Sequence, residues 1–343
     1  MNRRLLLSAP LLLGGCSVLS EWGYRARAVG GHLDLLAKAQ PIARWLADPA
    51  TPEATRKQLL LAQQLRRFAS EQLALPDNAS YQRYVDLQAD AVVWNVVAAP
   101  QHGLQLKTWC FPMMGCVGYR GDWDKPKAEL LAQQLREQGW DVHLYGVPAY
   151  STLGYSNPLG GDPLLSTFLR WGPAELARLL FHELAHQRAY AKDDSAFNES
   201  YATAVERLGL QAWWQAHPNP ELQAQDARVQ SRRSRWRELA LAARADLERL
   251  YASDATNKPE LKRERFAQLT AELAQWAQED AGYSGYLAWA RRANNAHLAL
   301  LSAYQLQVPA FEALFHRLGG DWTRFHTEVA RRAALPKSER EIA

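Results

Sequence analysis

The chain has 343 residues, with 40 Lys and Arg against 36 Asp and Glu, a net charge of +4 and three cysteines. So even a balance of charge gives no basis for nucleic acid as a partner. Past the first residues, no uncharged apolar stretch is long enough to span a bilayer.

Residues 1–15 carry Arg3 and Arg4, then an apolar run from Leu5 to Leu13. A basic start followed by a short apolar segment reads as a secretory signal. Leu13-Gly14-Gly15-Cys16 resembles a bacterial lipobox. That resemblance implies cleavage before Cys16 and lipid on its thiol and its new amino group; the alternative is an ordinary signal peptide with a coincidental Cys. Ser17 rather than Asp follows, which points to the outer membrane. The expectation is a lipid-anchored chain on the periplasmic face of a bacterial envelope. Without Arg3 and Arg4, 38 basic residues face 36 acidic ones, leaving +2.

Residues 16–90 read as an N-terminal helical region. Leu33, Leu35, Leu36 and Ile42 lead to Trp45-Leu46, and a second helix is expected from Pro52 to Ser70, with Thr51 as its cap. Leu75-Pro-Asp-Asn78 is a turn cluster.

Residues 91–216 change character. Ala91 to Ala98 is β-branched and aromatic, and predicts a strand. Leu104 to Trp109, Val117 to Tyr119 and Trp140 to Tyr145 are further strand candidates, with a helix from Asp124 to Gln138 closed by Gly139. Cys110 and Cys116 lie six residues apart. An oxidising compartment favours their pairing, and two buried thiols are the alternative. A Gly-, Pro- and Asn-rich loop from Ala149 to Leu165 follows, suited to a cleft wall. Its Tyr150 and Tyr155 are candidate donors to an oxyanion, or simply packed tyrosines.

Phe181-His182-Glu183-Leu-Ala-His186-Gln187 continues a strong helical pattern that begins at Pro173. Residues four apart share a helix face, so His182 and His186 can present two imidazoles to one metal ion. Glu183 is placed to reach a water rather than the metal, as a general base. Such a zinc site needs a third protein ligand. Thirteen positions beyond His186, Glu199 opens a second helix in Phe197-Asn-Glu-Ser-Tyr-Ala202 and is the best candidate, with Asp193 and Asp194 as competitors. Asn198 is a possible N-cap and neighbour of the ligands. Glu206 lies two turns on, where it could hold a ligand imidazole by its second nitrogen; an ordinary exposed Glu is the alternative.

Residues 217–343 read as helical throughout. Helices are expected over Gln223 to Ser253, Pro259 to Asp280, Gly285 to Val308, Pro309 to Leu318 and Trp322 to Ala334. The basic run Arg232 to Arg237 could suggest contact with an anionic membrane, but the Glu and Asp residues around it favour a solvated, ion-paired face.

The pair His182-Glu183-x-x-His186 and Asn198-Glu199-x-x-Ala202 resembles the gluzincin metallopeptidases. More broadly, Leu75 to Tyr81, Val93 to Pro100, Trp109 to Pro112, Gly115 to Gly121, Ala149 to Gly154, Phe181 to Gln187, Phe197 to Ala202, Asn294 to Ala296 and Val308 to Phe311 are similar to a family of zinc aminopeptidases found as bacterial lipoproteins. The resemblance implies an α+β, predominantly helical fold with a zincin-like core and a small sheet over the H-E-x-x-H helix. It implies one Zn2+ held by His182, His186 and Glu199, Glu183 as base, and a peptide substrate that pairs with the sheet edge. It also implies a Tyr or His from a later helix at the oxyanion, where Tyr304 and His297 are the candidates. Two other readings keep the site: a catalytically inactive lipoprotein acting as an envelope binding or assembly factor, and a zinc hydrolase with a non-peptide substrate.

Overall fold

The computed structural model describes residues 29–111, 115–149, 151–192, 194–301 and 307–340. The proposed signal with Cys16, and also Tyr150, Asp193 and Tyr304, lie outside the described residues. The fold is α+β and predominantly helical, with three small sheets.

Helix α6 (Pro173–Arg188) starts with Pro173 after Gly172 and carries Glu175 in its first turn, both favourable at a helix N-terminus. Leu176, Leu180, Phe181 and Leu184 recur at helical spacing and are fully buried. This stripe beds α6 between α3 (Glu53–Glu71) and α7 (Ser195–Ala216). Phe68 of α3 meets Phe181 at 6.3 Å between ring centroids. Gly209 of α7 is needed for this packing. A Cβ there would sit 2.8 Å from Leu73 and 2.9 Å from Phe181, so the close approach of the helices outweighs the low helix propensity of glycine. Thr51, the expected cap of α3, does something else: Pro52 occupies the cap position, and the Thr51 hydroxyl donates to Trp45 O at 2.7 Å.

The core around α6 draws on all three regions of the sequence. It joins Leu35 of a helical stretch over residues 29–38 (α1), Leu59 and Leu65 of α3, and Phe311 and Phe325 of α12 (Val308–Arg317) and α13 (Trp322–Ala333). Its sheet is the short set β1 (Gln40–Pro41), β2 (Arg83–Val85) and β8 (Leu164–Leu165). Helix α2 (Ile42–Ala47) and the four-residue α5 (Ser166–Leu169) flank these strands.

The larger strands form a separate antiparallel sheet of order β6 (Arg120–Asp122), β3 (Val93–Pro100), β7 (Trp140–Val147). The resemblance led us to expect this sheet over α6. Instead Val96 and Ala98 face α4 (Lys125–Glu137), while Val97 and Ala99 face α11 (Asn295–Leu301). The apolar run of β3 leaves no polar face, so each side takes a helix. Residues 104–108 form no strand; Leu104 is drawn into a second core. β4 (Trp109–Phe111) and β5 (Gly115–Val117) form a hairpin with Cys110 opposite Cys116, and the two are disulfide-bonded.

The second core binds α8 (Pro220–Ala252), α9 (Lys258–Glu279) and α10 (Ser284–Ala290). The helix expected from 285 to 308 is broken between α10 and α11. Asn294 and Asn295 at the break serve the sheet. Asn295, fully buried, donates through Nδ2 to Pro100 O, Gln101 O and Gly103 O at 2.9–3.1 Å and accepts from Tyr251 OH at 2.9 Å. Asn294 Nδ2 donates to Val142 O at 3.1 Å. Lys262 of α9 pairs with Asp141 of β7 at 2.6 Å.

Two stability predictions follow from buried polar groups. Asn295→Ala strips three carbonyls of their donor, and unfolding by denaturant should show a loss of about 2–3 kcal/mol. His326, fully buried, has Nε2 against Leu73 O at 2.8 Å and Nδ1 against Tyr201 OH at 2.7 Å. A carbonyl needs a donor, so the ring is the neutral Nε2–H form. Burial, opposed by the Leu73 carbonyl and aided by Arg188, pushes its pKa down to about 4. The unfolded chain therefore binds a proton below about pH 6.5 that the folded one refuses. Stability is full above pH 6.5 and falls by about 3 kcal/mol toward pH 4. The melting temperature of His326→Gln should fall less over that range than that of the wild type.

Candidate metal centre

His182 and His186 stand one turn apart on α6, and Glu199 enters from the start of α7. His182 Nε2 lies 3.1 Å from His186 Nε2 and 3.3 Å from Glu199 Oε2, and His186 Nε2 lies 3.7 Å from Glu199 Oε1. One donor atom from each residue falls within 4.8 Å of the others. Four ligands at about 2.0–2.1 Å from a metal sit about 3.3–3.4 Å apart at tetrahedral angles. The spacings found are close to the edges of that figure. Two imidazole nitrogens this close also repel each other unless a proton or a cation lies between them.

His182 is oriented by Glu206, whose Oε2 lies 3.0 Å from His182 Nδ1. A proton on Nδ1 leaves the Nε2 lone pair aimed at the centre. Burial alone would lower the His182 pKa, but hydrogen bonds to Glu199 and Glu206 hold it well above the usual range. Burial, with His182 beside it, pushes His186 down to about 4. Glu199 is the reverse case: burial opposes its charge, and the His182 hydrogen bond more than restores it, so its pKa is lowered. His186 neutral and Glu199 ionised are the forms that ligate. Glu183 has its pKa raised, first by burial and then by Glu199 and Asp162, against the pull of His182 and Ser151. A carboxylate made more basic in this way suits proton transfer near neutral pH.

Other candidates have different work. Asp194, not Asn198, caps α7, accepting from Phe197 N at 3.3 Å. It also pairs with Arg340 at 3.3 Å, so both its roles are structural. Asn198 lies inside the helix and closes the preceding turn, accepting from Ala191 N at 2.7 Å and donating to Ala191 O at 2.8 Å. His297 is in the other layer, stacked on His143 with centroids 3.7 Å apart, and is not in the ligand group. Tyr155 is 78% exposed and lines a cleft of about 340 Å³ with Leu153, Gly154, His186, Gln187 and Tyr190.

The site also contains residues that spacing did not single out. Buried Asp162 accepts from Thr152 N at 2.8 Å, Thr152 Oγ1 at 2.8 Å and Ser156 Oγ at 2.6 Å, which fixes the loop before α6. Gln187, next to His186, accepts from Asn78 Nδ2 at 2.7 Å and donates to Ser80 Oγ at 3.3 Å. Gly161 lets these loops touch: its φ is +72°, and a Cβ would lie 2.3 Å from the Ala79 backbone. Three separate stretches thus meet at α6. Their richness in Asn, Ser, Thr and Gly was the available signal, and it marks turns without saying which turns meet.

No curated protein and no solved structure matches the chain. Residues 23–343 match the family described as "Putative aminopeptidase", and the chain belongs to that family.

Proposed function

We propose that the chain is a zinc-dependent peptidase, an aminopeptidase as its family description says, that hydrolyses peptide bonds with Glu183 as general base. The observation that carries this reading is the convergence of His182, His186 and Glu199 donors beside a half-buried Glu183 of raised pKa. The soft spot in coordination is the fourth position, which three protein ligands leave to water or substrate. Zinc bound there would supply Lewis acidity, acidifying a water and polarising a carbonyl.

The protein's own groups do the rest. Glu206 keeps the His182 ring in one tautomer and one orientation. The cleft beside His186 receives the peptide, with Tyr155 and Tyr190 as its aromatic walls. Glu183 takes a proton from the attacking water as the new C–O bond forms. It then returns that proton to the amine nitrogen as the C–N bond breaks. The proposal extends to location: a lipid on Cys16 would hold the chain to the outer membrane, facing the periplasm. The Cys110–Cys116 disulfide suits such an oxidising compartment.

Two variants test this. Glu183→Gln should retain zinc and melting temperature while turnover of a peptide library falls at least ~10³-fold, since general-base loss alone costs about 10²–10⁴. Undiminished hydrolysis by that variant would remove Glu183 from the role. Glu199→Ala should bind zinc at least ~10-fold more weakly, read by elemental analysis after dialysis against a graded chelator. Unchanged zinc content would mean the third ligand lies elsewhere. A wild-type protein that holds zinc but cleaves no peptide would instead favour an envelope binding factor.

A further inference from the structure

Tyr81 occupies an unusual position within electrostatic reach of Glu183. Its backbone has φ +62°, a left-handed conformation that a bulky residue adopts only under constraint. The constraints are visible. Arg66 Nε donates to Ser80 O at 2.8 Å, and Arg66 also holds Asp77 at 2.9 Å. Asn78 and Ser80 are tied to Gln187 on α6, as above. Tyr81 N itself donates to Asp162 O at 2.6 Å. The residue is therefore fixed to the ligand-bearing helix on one side and to the Asp162 loop on the other.

The side chain is 2% exposed, and its buried hydroxyl has no well-formed hydrogen bond among the described residues; only the Ser151 hydroxyl approaches it as a partner. Its polar surroundings are Ser151, Glu183 and Asp162. Asp162 is already occupied by Thr152 and Ser156. Burial first, then the charges of Glu183 and Asp162, hold the phenol pKa well above its ordinary value, against the weaker pull of the Ser151 hydroxyl. The group is a neutral donor at any working pH. A dry, poorly paired donor and a strained backbone both oppose folding. Each becomes intelligible if an acceptor arrives only with the substrate.

We infer that Tyr81 is a catalytic residue, whose O–H donates a hydrogen bond to the substrate carbonyl oxygen as that oxygen becomes negative. The inference rests on the peptidase reading above. As the water oxygen adds to the carbonyl carbon, the π pair moves onto the carbonyl oxygen. Tyr81 stabilises that charge without giving up its proton. The water's proton goes to Glu183 and then to the amine nitrogen as the C–N bond breaks.

The test is Tyr81→Phe in the zinc-loaded full chain, with replacement of Tyr81 by 3-fluorotyrosine as a shape-matched variant that keeps the donor. We expect Tyr81→Phe to keep its zinc and to melt at or above the wild-type temperature, because the lost hydroxyl had no well-formed hydrogen bond. Its kcat should fall about 10²–10³-fold with KM little changed. A phosphinic dipeptide, which mimics the charged tetrahedral geometry, should bind at least ~30-fold more weakly by calorimetry. The 3-fluorotyrosine protein should stay within about threefold of wild type in both measures. A Tyr81→Phe protein with kcat and phosphinate affinity near wild type would overturn the inference and leave the peptidase reading standing. A Tyr81→Phe protein that melts lower or loses zinc, with the 3-fluorotyrosine protein normal, would overturn it in favour of a structural hydroxyl. A wild type that neither cleaves peptides nor binds the phosphinate would overturn both.

Discussion

Two imidazole nitrogens held 3.1 Å apart in a largely buried setting are the constraint on which the rest of the site depends. Left alone, such a pair is unfavourable, and the protein surrounds it with negative charge. Glu199 approaches from one side, Glu206 from another, and Glu183 lies within electrostatic reach of His182. The cost of burying three carboxylates is offset only if a positive charge sits at their centre. A proton on His182 supplies one such charge, and the donors of His182, His186 and Glu199 are spaced so that they could share a divalent ion.

Such a centre needs rigid walls, and these are polar rather than apolar. The loops carrying residues 78–81 and 151–162 contain little that could anchor them by burial alone. They are held by well-engaged acceptors: Asp162 takes four hydrogen bonds from its own loop, and Gln187 bridges to Asn78 and Ser80. A carboxylate engaged by several neutral donors is a good scaffold. Asp162 is fixed in this way, whereas Glu183 has its pKa raised, first by burial.

The sequence disclosed whatever depended on helical periodicity. His182, His186 and Glu206 follow from spacing along α6 and α7, and Glu199 follows from the short link between them. What escaped depended on contacts between distant segments. Asn294 and Asn295 read as helix-compatible residues, yet their amides serve the sheet carbonyls and break the helix there. The sheet could not be positioned because the apolar run of β3 shows that both faces are covered and not by what. Asn198 looked like a cap because of its type, while Asp194, four residues earlier, took that role. Tyr81 stood only at the end of the family-like stretch Leu75 to Tyr81, with no sign of a role. A left-handed residue in a turn is specified by the three chain segments that trap it, not by its neighbours in sequence.

The start of α7 shows how the metal centre comes to depend on the far end of the chain. Five consecutive residues each face a different partner. Asn198 closes the turn at Ala191, Glu199 faces the histidines, and Ser200 accepts from Gln307 N at 3.3 Å. Tyr201 reaches His326 of α13, and Ala202 is fully buried in the main core. Because a helix turns about 100° per residue, adjacent positions necessarily point in different directions. The rotation of α7 about its axis is thus set on one side by α12 and α13 and read out on the other by the Glu199 carboxylate. The C-terminal helices therefore bear on the candidate metal centre through α7, although none of their described residues is in the candidate ligand group.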